Sequence, residues 1–150
     1  MPERLDAKLE QIVERELPRL RRMTDAEAAR RREPGKWSSK QVLGHLIDSA
    51  GNHHQRFVRA QLSAELVFPG YAQNDWVSTE GFAEEGWERI VDLWSALNRH
   101  LVHVISRIPQ ARLSTPCRIG DNAPLTLEAL VADYIRHLEH HVQQISAAGR

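Results

Sequence analysis

One stretch near the end of the chain determines how the helices must be arranged: Tyr134-Ile-Arg-His-Leu-Glu-His-His-Val-Gln-Gln-Ile145. Its apolar residues recur at the 3.6-residue period of an amphipathic helix whose inner side includes Tyr134 and Ile145. His137 and His141 are four residues apart, so on a helix they share one face. Two imidazoles on one face can bind a single divalent metal ion, provided that another part of the chain supplies a third ligand.

Three more amphipathic segments precede this one, and breakers separate them. The apolar period predicts helices at about 3–22, 39–62, 83–107 and 126–147, with a short extra helix around Trp76. Pro18 is expected to bend or interrupt the first helix, and Ser38 opens the second with a capping box. No alternating run is long enough to require a strand. We therefore predict an all-α four-helix bundle, with residues 1–150 as one domain.

A third imidazole, that of His45, lies in the second predicted helix. Its depth in that helix indicates whether the second and the last helix are parallel or antiparallel. His45 is about 9 Å from the start of its helix, and His141 is about 9 Å from the end of the last helix. These depths match only if the two helices are antiparallel, as in an up-down-down-up bundle with a long crossover between the second and third helices. An up-down-up-down bundle would make them parallel. The crossover of about twenty residues can span about 60 Å, enough to return along a helix of about 35 Å.

His45, His137 and His141 together form a candidate metal site. Three neutral imidazoles plus water are a known catalytic coordination set, in which the fourth position stays open. Zinc, nickel and iron all accept nitrogen ligands, and the sequence does not choose among them. The site is not of the His-Glu-x-x-His zincin type, because Leu138 follows His137. No glutamate has a histidine three residues later, which argues against a carboxylate-bridged di-iron site.

Other polar side chains are candidates for a supporting role. Asp48, one turn after His45, can orient an imidazole N–H, with a solvated acid as the alternative. Arg56 can hold an anionic group, although arginines on helices are mostly surface residues. Residues that can line or close the cavity, or else only cap the core, are His53, His54, Tyr71, Asn74 and Trp76. Histidines expected at a surface or at the edge of the site are His100, His103 and His140.

The composition argues against several classes of function. The 150 residues hold 20 basic and 20 acidic side chains, so no net field attracts nucleic acid or an anionic membrane. Cys117 is the only cysteine, so no intrachain disulfide forms and nothing argues for export. No apolar run has the length of a membrane span or of a signal core. We expect a cytoplasmic protein that binds neither nucleic acid nor membrane.

Three blocks of the sequence resemble the DinB/YfiT-like superfamily of metal-dependent enzymes. The first conserved block of that family is similar to Lys36-Trp-Ser-Ser-Lys-Gln-Val-Leu-Gly-His-Leu-Ile-Asp48 and the following Asn52-His-His-Gln-Arg-Phe57. Its last block is similar to the run from Asp133 to Ile145, and an intermediate stretch matches Gly70-Tyr-Ala-Gln-Asn-Asp-Trp-Val77. The resemblance therefore spans almost the whole chain.

The resemblance implies an up-down-down-up bundle, commonly a homodimer, that binds a divalent metal through His45, His137 and His141. Members of the family include transferases and isomerases that use a low-molecular-weight thiol such as bacillithiol or mycothiol, and also hydrolases. The leading hypothesis is a metalloenzyme for a small-molecule substrate, with such a thiol or a water at the open metal position. The alternative is a non-catalytic metal-binding or stress-related bundle that acts through interactions.

Overall fold

The computed structural model describes residues 4–148, with side chains up to Ile145. Four long helices dominate it: α1 (Leu5–Arg22), α3 (Ser39–Ala60), α5 (Trp87–Ser106) and α6 (Leu127–Ala148). Two short helices, α2 (Asp25–Ala29) and α4 (Gln73–Glu80), lie in the connections. The predicted four-helix bundle is confirmed, and α4 is the short helix expected around Trp76.

The long helices are arranged so that α1 and α3 occupy opposite corners of the bundle, because both pack mainly on α5 and α6. His45 lies near the start of α3, and its ring is within 5.6 Å of those of His137 and His141 near the end of α6. The two helices are therefore antiparallel, which confirms the up-down-down-up topology. The connection between α3 and α5, which contains α4, makes the predicted crossover.

The apolar faces of the helices meet in one core. Its large buried side chains come from every long helix and include Leu9, Phe57, Trp94 and Tyr134. Burying such a side chain stabilises the fold by about 1.5–3 kcal/mol relative to leaving it exposed. The Tyr134 hydroxyl donates a hydrogen bond to Asn98 Oδ1 at 2.5 Å, so the buried phenol keeps a polar partner. Within residues 4–148, no helix has both the length and the apolar character that crossing a bilayer requires.

A small three-stranded sheet joins the two long connections, and the all-α prediction omitted it. Strand β1 (Leu66–Phe68) pairs in parallel with β2 (Pro116–Ile119), which pairs antiparallel with β3 (Leu125–Thr126). Each strand has at most four residues, too few for an alternating pattern to be recognised in the sequence. The sheet anchors the crossover beside α3 and α6.

The structure differs from the sequence prediction at one helix boundary, and it excludes the interruption, one of the two effects expected of Pro18. Pro18 lies inside α1 without interrupting it, because it is on the exposed side, where a carbonyl that loses its helical partner can bond to water. Helix α5 begins at Trp87 and not near residue 83. Gly81, at φ 70°, ends α4 in the left-handed region, and Asp25 of α2 accepts a hydrogen bond from the Trp87 backbone N–H at 2.8 Å. That cap comes from a distant part of the chain, so local sequence does not reveal it.

Candidate metal centre

Three imidazoles, from His45, His137 and His141, come together where α3 and α6 meet. One ring nitrogen from each lies within 4.8 Å of the other two, and the ring centroids are 5.3, 5.6 and 4.5 Å apart. A tetrahedral zinc ion with bonds of about 2.0–2.1 Å holds its nitrogens about 3.4 Å apart. The three nitrogens would therefore have to come closer than the 4.8 Å limit, to about 3.4 Å, to bind such an ion. The structure brings together all three residues predicted as ligands.

The position of His45 is fixed by its neighbours on both sides. Its ring is 1% exposed and lies 5.3 Å from the ring of Trp37, just before α3 begins. The adjacent Gly44 packs so closely on Phe82 that a Cβ there would lie 2.3 Å from the ring. The absence of a side chain at Gly44 thus lets the end of the crossover pack directly beside His45.

The buried ring of His45 contains a polar atom that lacks a hydrogen-bond partner among the described residues. Its Nδ1 atom has no hydrogen-bond partner among the residues that the structure describes. A buried polar nitrogen left in this state costs free energy. A metal ion bonded to Nδ1 would satisfy this atom, so the residues present fit the ion that the sequence predicted.

Burial keeps the imidazoles in the neutral form that binds metals. Burial, followed by the repulsion of His137 and His141, lowers the pKa of His45 to about 4. Burial, followed by His141 and His140, lowers the pKa of His137 to about 4. The pKa of His141 is lowered by burial and by His140. Near neutral pH the cluster therefore offers nitrogen lone pairs, with no proton to displace.

Asp48 does not orient His45 in the way considered from the sequence. It is 5% exposed and faces Glu80 of α4 across the crossover. Burial, followed by a hydrogen bond and repulsion from Glu80, raises the pKa of Asp48 to about 8. Asp48 Oδ2 is buried and has no hydrogen-bond partner of the ordinary kind in the described part of the chain. A proton shared with Glu80 would give this atom a partner, and the raised pKa favours the neutral form of Asp48 near pH 7.

Two cavities reach the histidine cluster from different sides. One, of about 670 Å³, is lined by His141 together with Trp37 and Asn74. The other, of about 530 Å³, is lined by His137, and Arg56 is part of its wall. Both volumes fall in the range of about 300–1,000 Å³ that is usual for small-molecule sites. Ligands have room to approach the cluster next to either residue of the α6 pair.

The remaining candidates from the sequence divide into two groups. Those that line the second cavity are His53, Arg56 and Tyr71. Arg56 is buried, contrary to the expectation for a helix arginine. Those that lie on other surfaces are His54, whose ring packs on His100 at 5.3 Å, and the exposed His103, His140 and Trp76. His140 is nevertheless only 5.3 Å from the His141 ring.

Some residues of the site were not candidates from the sequence. Glu80 belongs to a short helix in the crossover, and only the packing of α4 on α3 brings it to Asp48. Asn122 and Leu125 line the second cavity, because strand pairing brings the β2–β3 connection there. Trp37 had a local signal, since it directly precedes the Ser38 capping box of the helix that carries His45.

Comparison with known proteins agrees with this architecture. The model of the DinB superfamily matches residues 8–145. A protein of Oceanobacillus iheyensis named "Putative metal-dependent hydrolase OB0413" is 23% identical over 126 residues, which are 84% of this chain and 72% of that protein. The solved structure of YfiT from Bacillus subtilis, described as "a probable metal-dependent hydrolase with an unusual four-helix bundle topology", is similar with a TM-score of 0.82. The similarity covers 99% of this chain and 87% of that one at 20% identity, and it shows the shared fold.

Proposed function

Because the chain belongs to the DinB superfamily, we propose that it is a metal-dependent hydrolase in which His45, His137 and His141 hold one divalent ion. One observation carries the proposal: three ring nitrogens from two helices lie within 4.8 Å of one another. The cavities beside His137 and His141 give a small substrate access to that point. The relatives named for metal-dependent hydrolysis support the same activity.

The chain's own residues prepare this site in three ways. Helix α6 presents His137 and His141 one turn apart, so a regular backbone sets their separation. Trp37 packs on His45 and limits the orientations that its ring can adopt. All three imidazoles stay neutral near pH 7, so they place no positive charge where the metal ion would bind. A divalent ion held by these residues would supply a Lewis acid that lowers the pKa of water toward neutrality.

Asp48 can hold a proton near neutral pH, although it lines neither of the two cavities. Its pKa of about 8 lies close to the pH at which a general acid or base is most effective. Burial and the carboxyl groups of Asp48 and Glu80 raise the pKa of Tyr71 to about 12, and Tyr71 lines the second cavity. Asp48 therefore acts on the second cavity through its charge, which raises the pKa of Tyr71.

A small-thiol-dependent transferase is the second candidate function, and the position of Cys117 favours it over catalysis by a protein thiol. Cys117 is fully buried in β2, and burial raises the pKa of its thiol. It lines neither of the two cavities beside the cluster. A thiol that reacts at this site would therefore have to come from a small molecule bound in one of the cavities.

The test separates hydrolysis, thiol transfer and a non-catalytic role. Protein purified without an affinity tag is stripped with a chelator and reloaded with zinc, nickel or iron(II). It is then assayed on small esters and amides and on electrophiles, with and without a low-molecular-weight thiol. Turnover that needs metal alone supports the hydrolase. Turnover that also needs thiol supports the transferase, and bound metal with no turnover supports the non-catalytic bundle.

The homodimer and the cytoplasmic location expected from the sequence stay predictions. Exposed apolar side chains that a partner chain can cover are Leu62, Val67 and Leu93. Light scattering of the purified protein measures the oligomeric state, and a mass of one chain at all concentrations contradicts the homodimer.

A further inference from the structure

We propose that Arg56 binds an oxyanion of the substrate, a carboxylate or a phosphate, inside the cavity that is also lined by His137. The proposal rests on the proposed function only in treating this anion as part of a substrate. The substrates expected at such a site are small molecules with an anionic group at one end and the reacting group at the other.

The first support is that Arg56 is a buried cation with unmet bonding capacity. Its side chain is 6% exposed, and its Nε atom has no hydrogen-bond partner in the described part of the chain. No ion pair joins it to a carboxylate within residues 4–148. A guanidinium keeps its charge in proteins, and a buried charge is costly unless an opposite charge compensates it. An anionic ligand supplies that charge.

The second support is that neutral groups hold Arg56 in place. The Ser49 carbonyl can only accept, so His53 Nδ1 donates to it at 2.8 Å. His53 Nε2 is then free to accept from Arg56 Nη1 at 3.3 Å. The Cζ atom of Arg56 also lies 5.4 Å from the centroid of the Phe68 ring. These contacts orient the guanidinium and leave its charge available.

The third support is the charge distribution in the cavity. Of the side chains that line its 530 Å³, the ones with a formal charge are Arg56 and Asp133. Asp133 is 51% exposed and already forms an ion pair with Arg136, so its charge is compensated at the surface. Arg56 is the buried and uncompensated charge. Its planar guanidinium group can donate two parallel hydrogen bonds to a carboxylate or a phosphate.

Calorimetric titration tests the proposal, with succinate, inorganic phosphate and the neutral succinamide as probes. Each probe is added to metal-free and to metal-loaded protein, for the wild type and for three variants. Arg56→Gln removes the positive charge. Arg56→Lys keeps the charge but lacks the planar guanidinium that can donate two parallel hydrogen bonds. Arg59→Gln is the matched control, because Arg59 is an exposed arginine one turn away on α3 whose side chain donates a hydrogen bond to Gln55.

We expect metal-free wild type and Arg59→Gln to bind succinate or phosphate and not succinamide. Arg56→Gln should bind at least about tenfold more weakly, and Arg56→Lys about three- to tenfold more weakly. If only one of succinate and phosphate binds, the anionic group of the substrate belongs to the class of that probe. Equal binding by Arg56→Gln and Arg59→Gln overturns the proposal, as does a wild type that binds neither anion. If Arg56→Gln does not fold, equal binding by Arg56→Lys and the wild type overturns it.

Metal content, measured on the same samples, keeps the two proposals separate. We expect the Arg56 variants to bind as much metal as the wild type, because Arg56 is not one of the three clustered imidazoles. A wild type that binds no metal contradicts the proposed function. Arg56-dependent anion binding to the metal-free protein would still support the oxyanion site in that case.

Discussion

The imidazole rings of His45 and His137 lie 5.3 Å apart and nearly perpendicular, at 84°, although one belongs to α3 and the other to the last helix of the chain. Their proximity requires α3 and α6 to run antiparallel, and therefore requires the crossover between α3 and α5. An ion bound between the two rings would join both helices. Metal binding and the stability of the bundle should consequently be linked.

Metal binding should raise the thermal stability of the wild type and have little effect on His141→Ala. A ligand present at about 100 times its dissociation constant stabilises the folded state by about 2.7 kcal/mol. Thermal unfolding with added zinc and with chelator measures the shift in midpoint. His103→Ala, which changes an exposed histidine on α5, should keep the wild-type shift. An equal shift in His141→Ala would place the ion elsewhere.

The metal-free protein should lose stability as the pH falls from about 6.5 to 4. The pKa values of His45 and His137 are lowered to about 4 from their ordinary value of 6.5. Between pH 6.5 and 4 the unfolded chain binds protons that the folded chain excludes. The free energy of unfolding therefore decreases as the pH is lowered through this range, and it has its full value above pH 6.5. Urea unfolding at pH 7 and pH 5 measures the difference, and His45→Gln should reduce it. Equal free energies at the two pH values would show that the rings are not buried.

Asp48→Asn should stabilise the protein at pH 8 by about 1–3 kcal/mol and have a smaller effect at pH 5. The pKa of Asp48 is raised to about 8 from its ordinary value of 3.8. Between these values the folded chain holds a proton that the unfolded chain releases, so the wild type becomes less stable as the pH rises toward 8. Urea unfolding at both pH values measures this. Asp75→Asn, an exposed position on α4, is the control, and destabilisation by Asp48→Asn at pH 8 would mean that the ionised carboxylate is needed.

Gly44→Ala should destabilise the fold by about 1–3 kcal/mol and weaken metal binding. The added methyl would lie 2.3 Å from the buried Phe82 ring, so either the crossover or the start of α3, which carries His45, must move. Gly51→Ala is the matched control in the same helix, because nothing lies within 4 Å of its added methyl. It should be neutral or stabilising by up to about 1 kcal/mol. Urea unfolding compares the two variants, and equal effects would argue against the close packing at Gly44.

The bundle and the histidine cluster could be predicted because their signals are periodic or local. The apolar period marks each long helix, and the spacing of His137 and His141, combined with the depth of His45, leaves one topology. The sheet could not be predicted, because its two- to four-residue strands pair across distant segments. The Asp48–Glu80 pair and the burial of Arg56 depend in the same way on how the crossover packs against α3.

Elemental analysis of untagged protein tests the central proposal most directly. The samples are the wild type, His45→Ala and His103→Ala, each purified in the same way and checked for folding. We predict about one divalent ion per chain in the wild type and in His103→Ala, and less than about a tenth of that in His45→Ala. Equal metal content in His45→Ala and the wild type would contradict a site built from His45, His137 and His141.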